Sequence, residues 1–227
     1  MKKILLSTVF VLLASFACAQ ETEKKPELKG EVSSALSAIR LANDLIKYGY
    51  AQQSALPLIE ALQIMNENPT QPMKAEREGI VVDTSKTNGK NSNVSLDYAV
   101  VLASAKEFAE GDDTMLKLIA SIEAEGQSSH RGAVNGPSRH YDSINGNSSD
   151  TYQVNFVANS LAEIAVSGDG DTDLDLYVYD SNGNLIASDT DYSDDCYVNW
   201  VPAWTGRFVV KVVNRGPVYN RYAIMTN

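Results

Sequence analysis

Asp169, Asp171, Asp173, Asp175 and Asp180 fall within the stretch GDGDTDLDLYVYD, residues 168–180. A second acidic stretch, SDTDYSDDC, follows with Asp189, Asp191, Asp194 and Asp195. Carboxylates at this density raise each other's pKa unless a cation neutralises them, and residues 140–206 contain no lysine or arginine. An all-oxygen donor set suits calcium, which takes six to eight oxygen ligands, whereas zinc favours histidine and cysteine. Asp169, Asp171, Asp173, Asp175, Asp189 and Asp191 are therefore the candidate metal ligands, and calcium is the candidate cofactor. The plainer alternative is an acidic, solvated lip, since aspartate is also a turn residue. The spacing imitates positions 1, 3, 5, 7 and 12 of an EF-hand loop, but Leu174 stands where that loop requires glycine, and the residues after it alternate as a strand.

In such a strand Leu174, Leu176 and Val178 share the core face, and Asp173, Asp175, Tyr177 and Tyr179 share the other. Tyrosines on the polar face of a rigid sheet are what a binding surface uses. Tyr177 and Tyr179, with Tyr192 from the next acidic loop, are the candidate binding surface, while Trp200 and Trp204 read as core.

Two halves of different grammar position these residues. In residues 30–126 apolar residues recur at helical spacing: Ala38, Leu41, Ala42, Leu45 and Ile46, a break at Gly49-Tyr50, then Ala55, Leu58, Ile59, Leu62 and Met65. Ser54 is placed to cap the second helix, with Pro57 in its first turn. A second helical hairpin runs from Leu96 to Ile122 around Gly111. Residues 66–93, rich in Asn, Lys, Thr and Pro, read as a long connecting loop, and 127–139 as a linker. Residues 140–227 alternate with period two in about seven short runs separated by turns such as SNGN and NRGP. The expected fold class is thus α + β with two domains, a small α-helical hairpin bundle followed by an antiparallel β-sandwich.

The first nineteen residues stand apart. Lys2 and Lys3 precede an apolar run from Ile4 to Phe16 that closes on Ala17-Cys18-Ala19, the pattern of a secretory signal peptide cleaved after Ala19. Ser15 and Phe16 do not suit a lipoprotein signal. Residues 20–29 then form an N-terminal tail, and the expected location is periplasmic or extracellular. The net charge of −10, which falls further once Lys2 and Lys3 leave, argues against nucleic acid as a partner. The apolar run is shorter than a transmembrane span. Cys196 is the single cysteine left after cleavage, so an assembly cross-linked through it is one structural reading.

The residues GDGDTDLDLYVYDSNGNLIASDTDY, then WVPAWTGRFVVKVVN and a closing YNRYAIMTN, resemble the bacterial pre-peptidase C-terminal domain family over about residues 140–227. The resemblance implies a jelly-roll-like β-sandwich carried by secreted proteins, often peptidases, whose relatives bind calcium or insoluble protein. It implies no catalytic residue in the domain. Here a helical segment stands where the enzyme would be.

The catalytic inventory is thin. His130 and His140 are the two histidines, and the chain has no H-E-x-x-H, G-x-S-x-G or glycine-rich phosphate loop. A triad assembled from His140, Asp142 and a serine would need a geometry that spacing alone does not supply. The sequence thus favours an exported, non-enzymatic binding or accessory protein that contacts protein or cell-envelope material. The alternative is a secreted hydrolase, or a hydrolase accessory, with an interdomain site near His130 and His140.

Overall fold

The computed structural model describes residues 33–80, 82, 90, 92–129 and 137–227. The signal segment, the tail at 20–29 and His130 lie outside them.

Four helices come first: α1 (Ser34–Gln52), α2 (Ala55–Glu67), α3 (Tyr98–Phe108) and α4 (Asp113–Ser129). Ser33 caps α1 by accepting from the amide of Leu36, and Asp97 caps α3 by accepting from Ala99 and Val100. Ser54 occupies the cap position of α2 but its side chain makes no capping bond; Pro57, which needs no amide partner in a first turn, fits there all the same. Gly49 is required by packing, because a Cβ there would collide with the Leu58 side chain where α1 meets α2.

Ten strands complete the described fold. Two are short, β1 (Gln71–Pro72) and β2 (Glu76–Glu78). The others are β3 (Ser138–Ile144), β4 (Ser148–Phe156), β5 (Ala162–Ser167), β6 (Leu174–Tyr179), β7 (Leu185–Asp189), β8 (Asp195–Trp200), β9 (Gly206–Asn214) and β10 (Asn220–Thr226). They form two sheets, ordered β1-β3-β10-β5-β8 and β2-β4-β9-β6-β7. All pairings are antiparallel except β1 with β3, and the order of β3 to β10 is that of a jelly roll. The alternating apolar residues meet between the sheets, including Leu174, Leu176, Val178, Val198, Phe208, Val210 and Ile224.

The structure differs from the sequence reading in what surrounds this sandwich. Residues 66–93, expected as a connecting loop, supply β1 and β2 to the edges of both sheets. The expected linker at 127–139 contains the end of α4 and the start of β3, and His140 sits inside β3. These segments are too short and polar to carry a period-two signal, and pairing with long neighbouring strands decides their conformation.

Helix α1 explains why the two halves pack together. Ala42, Ile46 and Gly49 face the other helices, whereas Leu36, Ile39 and Asn43 face the first sheet. Leu36 and Ile39, both fully buried, pack on Ala165 of β5 and Met225 of β10. Ala165 is small enough to let the helix approach. Polar rivets flank this contact. Glu163 of β5 accepts from the Ser33 amide (2.8 Å) and the Tyr197 hydroxyl (2.6 Å). The buried Arg139 of β3 donates to Asn43 Oδ1 at 2.7 Å. The protein is therefore layered as helices, first sheet, second sheet.

A second network fastens β2 to the sandwich. Arg77 contacts Asp142 Oδ2 (2.5 Å) and Asp150 Oδ2 (2.9 Å), and Asp150 also accepts from the Tyr222 hydroxyl (2.8 Å), which lies 2.6 Å from that of Tyr152. Burial pushes the Asp150 carboxyl up, opposed by its bonds to Arg77 and Tyr222. Removing Arg77 strands a buried carboxylate. Arg77→Met is expected to cost about 3–5 kcal/mol in urea unfolding, and Arg77→Met with Asp150→Asn to recover part of that loss; equal losses for both variants would contradict the network.

Candidate functional site

The predicted carboxylates do not converge on a common point. The loop between β5 and β6 carries Asp169 and Asp171, and both meet Lys90. The Lys90 ammonium lies 2.6 Å from Asp169 Oδ2, 2.9 Å from Asp171 Oδ2 and 3.1 Å from the Tyr219 carbonyl. Its side chain is 4% exposed, and the ammonium also sits 4.5 Å from the Tyr219 ring centroid. Asp169 Oδ2 additionally accepts from the Arg221 amide at 2.9 Å, and the Ser92 hydroxyl binds the Asp169 carbonyl. Burial pushes the Asp169 carboxyl up, while the bonds from Lys90 and Arg221 pull it back.

Asp175 is elsewhere. On β6 it accepts from Arg215 Nε (2.6 Å) and from the Tyr177 hydroxyl (2.9 Å), and Arg215 Nη2 in turn donates to that hydroxyl at 3.0 Å. Asp189 accepts from the Tyr197 amide (2.8 Å), and Asp191 from the Ser193 amide (3.0 Å) and hydroxyl (2.7 Å). Asp173 has a buried Oδ1 with no hydrogen-bond partner among the described residues. Burial, then the neighbouring Asp175, pushes its carboxyl up. Asp194 and Asp195 share Lys47 of α1, at 2.9 and 2.6 Å.

Among the described residues no group of three or more acidic, histidine or cysteine side chains is disposed to hold a metal ion. The pair with the best claim, Asp169 and Asp171, already has an ammonium between its oxygens. As arranged, the residues do not fit a resident calcium ion. Sequence reasoning missed Lys47 and Lys90 because they lie far from the acidic loops along the chain, in α1 and in the connection between β2 and α3, and no local spacing links them.

The tyrosines fall on the outer face of the second sheet. Tyr179 pairs with Val209 on β9 and Leu185 on β7, and Tyr177 with Lys211 and Ser188. The two rings stack at 6.3 Å with an 18° interplanar angle. Both residues are partly exposed, as are Val209, Lys211 and Val213. Tyr192 is 100% exposed, on a loop held by the Asp191–Ser193 bonds. Trp200 joins the core as expected, whereas Trp204 is 40% exposed and stacks on Phe208, capping the end of the sandwich.

Other readings meet the structure less well. His140 Nε2 is 3.2 Å from Asp142 Oδ2, but that oxygen is shared with Arg77 and the Tyr152 hydroxyl, so the pair belongs to the β2 fastening. Cys196 is 2% exposed and donates to the Leu174 carbonyl, and burial followed by the surrounding aspartates pushes its thiol far up. A thiol buried this deeply is poorly placed to cross-link copies.

A cleft of about 660 Å³ opens between the helices and the acidic loop, lined by Tyr50, Ser92, Glu107, Phe108, Asp169 and Asp171 among others.

No family model matches the chain, and no curated protein matches it. Several solved structures are similar at low identity. The pre-peptidase C-terminal domain of a collagenase from Bacillus anthracis is 15% identical, with a TM-score of 0.33, 40% of this chain and 88% of that one being covered. A periplasmic inhibitor of g-type lysozyme from Aeromonas hydrophila is 13% identical (TM-score 0.32, 40% and 84% covered). A carbohydrate-binding module from Cellvibrio mixtus lichenase 5A, in complex with cellotriose, is 11% identical (TM-score 0.27, 39% and 86% covered).

Lys47 yields a pH prediction. Burial opposes its charge, but Asp194 and Asp195 outweigh that and raise its pKa above the ordinary lysine value. A raised folded-state pKa makes this contribution fully present below about pH 10.4 and lost as pH rises through the folded value. Lys47→Met is expected to cost about 2 kcal/mol at neutral pH, with the gap to the parent protein closing above the ordinary lysine pKa. A gap that stays constant into strong alkali would contradict the ion pairs.

Proposed function

We propose that this chain is a non-catalytic binding or accessory protein, exported from the cytoplasm, that contacts protein or cell-envelope material through Tyr177, Tyr179 and Tyr192. One observation carries the reading. The helical half packs on the first sheet, while the outer face of the second sheet presents a stacked tyrosine pair among Val209, Val213 and Leu185.

The surface is rigid as well as aromatic. Tyr177 is held through its hydroxyl by Asp175 and Arg215, so little side-chain freedom remains to be lost on contact. Tyrosine supplies large contact area at low entropic cost together with a polar tip. Lys211, which flanks Tyr177, adds a donor beside the rings. In this reading Asp175 positions a binding residue. Export rests on the signal-like first nineteen residues, and no described helix is long and apolar enough to cross a membrane.

Sedimentation with cell-envelope fragments and with fibrillar protein tests the proposal. The parent chain is expected to co-sediment with at least one of them. Tyr177→Ala, Tyr179→Ala and Tyr192→Ala combined should weaken that binding by about tenfold or more, the loss of one or two anchor residues, with an unchanged melting midpoint. Equal binding by the triple variant would remove the tyrosine face from the account.

A further inference from the structure

We propose that the Lys90 ammonium is the resident cation of the acidic loop, a covalently tethered substitute for a divalent ion, so that the parent protein has no calcium requirement and loss of Lys90 creates one.

The coordination supports this directly. Three oxygens from three residues surround the ammonium: Asp169 Oδ2 (2.6 Å), Asp171 Oδ2 (2.9 Å) and the Tyr219 carbonyl (3.1 Å). Carboxylate and carbonyl oxygens gathered from separate strands and loops are the donor types a hard cation selects. The ammonium offers three N–H donors, one for each oxygen. Asp169 and Asp171 are themselves 1% and 6% exposed, so their charges are withdrawn from water and depend on an internal counter-charge. One oxygen of the set, Asp169 Oδ1, is buried without a hydrogen-bond partner among the described residues. A three-donor ammonium leaves it unsatisfied, and a larger coordination number would use it.

The tether also does something a free ion would not. Lys90 and Ser92 belong to the chain between β2 and α3, and Ser92 adds its amide to Asp171 Oδ2 (2.9 Å) and its hydroxyl to the Asp169 carbonyl. Neutralising the loop therefore pins Lys90 and Ser92 onto the sandwich. Ser92, Asp169, Gly170 and Asp171 also line the cleft between the halves, so the acidic pair borders open space.

Thermal unfolding in chelator and in millimolar calcium, with terbium luminescence sensitised by Tyr219, tests the substitution. The parent protein should melt at the same midpoint in both solutions and give no terbium signal. Lys90→Ala should melt about 10 °C lower in chelator, regain much of that in calcium, and sensitise terbium. Lys90→Ala with Asp171→Asn should lose less in chelator and respond to neither ion. If Lys90→Ala does not fold in chelator, its folding on calcium addition is the expected result. A parent protein that chelator destabilises would overturn the proposal. So would a Lys90→Ala variant as stable as the parent, or one that calcium fails to restore while the double variant folds.

Discussion

The acidic end of the sandwich is held by positive charges that come from outside its own strands. Asp169 and Asp171 take Lys90, and Asp194 and Asp195 take Lys47. Without them the jelly roll would carry a buried concentration of like charge at one end, which is costly in a medium poorer in water than the surface. Because the lysines belong to α1 and to the chain preceding α3, the contacts that neutralise the sandwich also tie the helical half to it. The apolar contact of Leu36 and Ile39 with Ala165 and Met225 lies on the same helix as Lys47. Burial of those side chains supplies the larger share of the contact energy, at about 1.5–3 kcal/mol each. The charges fix its register.

Much of this was legible beforehand, for physical reasons. Strand β6 was recoverable because Leu174, Leu176 and Val178 alternate strictly, and the helical hairpins because Ala42, Ile46, Leu58 and Leu62 keep helical spacing over several turns. Burial on one face imposes a pattern that survives in the sequence. What could not be read was long-range. Strands β1 and β2 are two and three residues long and exist because β3 and β4 offer edges to pair with. The partners of the acidic loops lie about 80 residues or more away for Lys90 and further for Lys47, and charge complementarity leaves no periodic trace. An acidic segment without basic residues of its own has the local pattern of a cation site, and the pairing of its aspartates with Lys47 and Lys90 leaves no mark in that segment.

The layered arrangement separates stability from display. The first sheet is covered by α1, so its outer face is spent on packing. The second sheet keeps Tyr177 and Tyr179 on its outer surface, stiffened by the Asp175–Arg215 clamp. Glycine turns and Asx bonds in the loops add rigidity, as at Gly183, whose positive φ closes the β6–β7 turn under Asp180. The clamp stands on the same face as the tyrosines, so that surface is stiffened locally, apart from the contacts that dock the helices on the other sheet.

Native-state hydrogen exchange on the intact chain tests most directly whether the two halves are one cooperative body. Amides of α1 between Ile39 and Ile46 and amides of β5 and β10 should open with the same free energy and fall together as urea is added, because helix docking and charge neutralisation are a single transition. If the α1 amides instead exchange at a far smaller free energy while β5 and β10 stay protected, the helical half is an appendage and the sandwich holds its acidic loops without it.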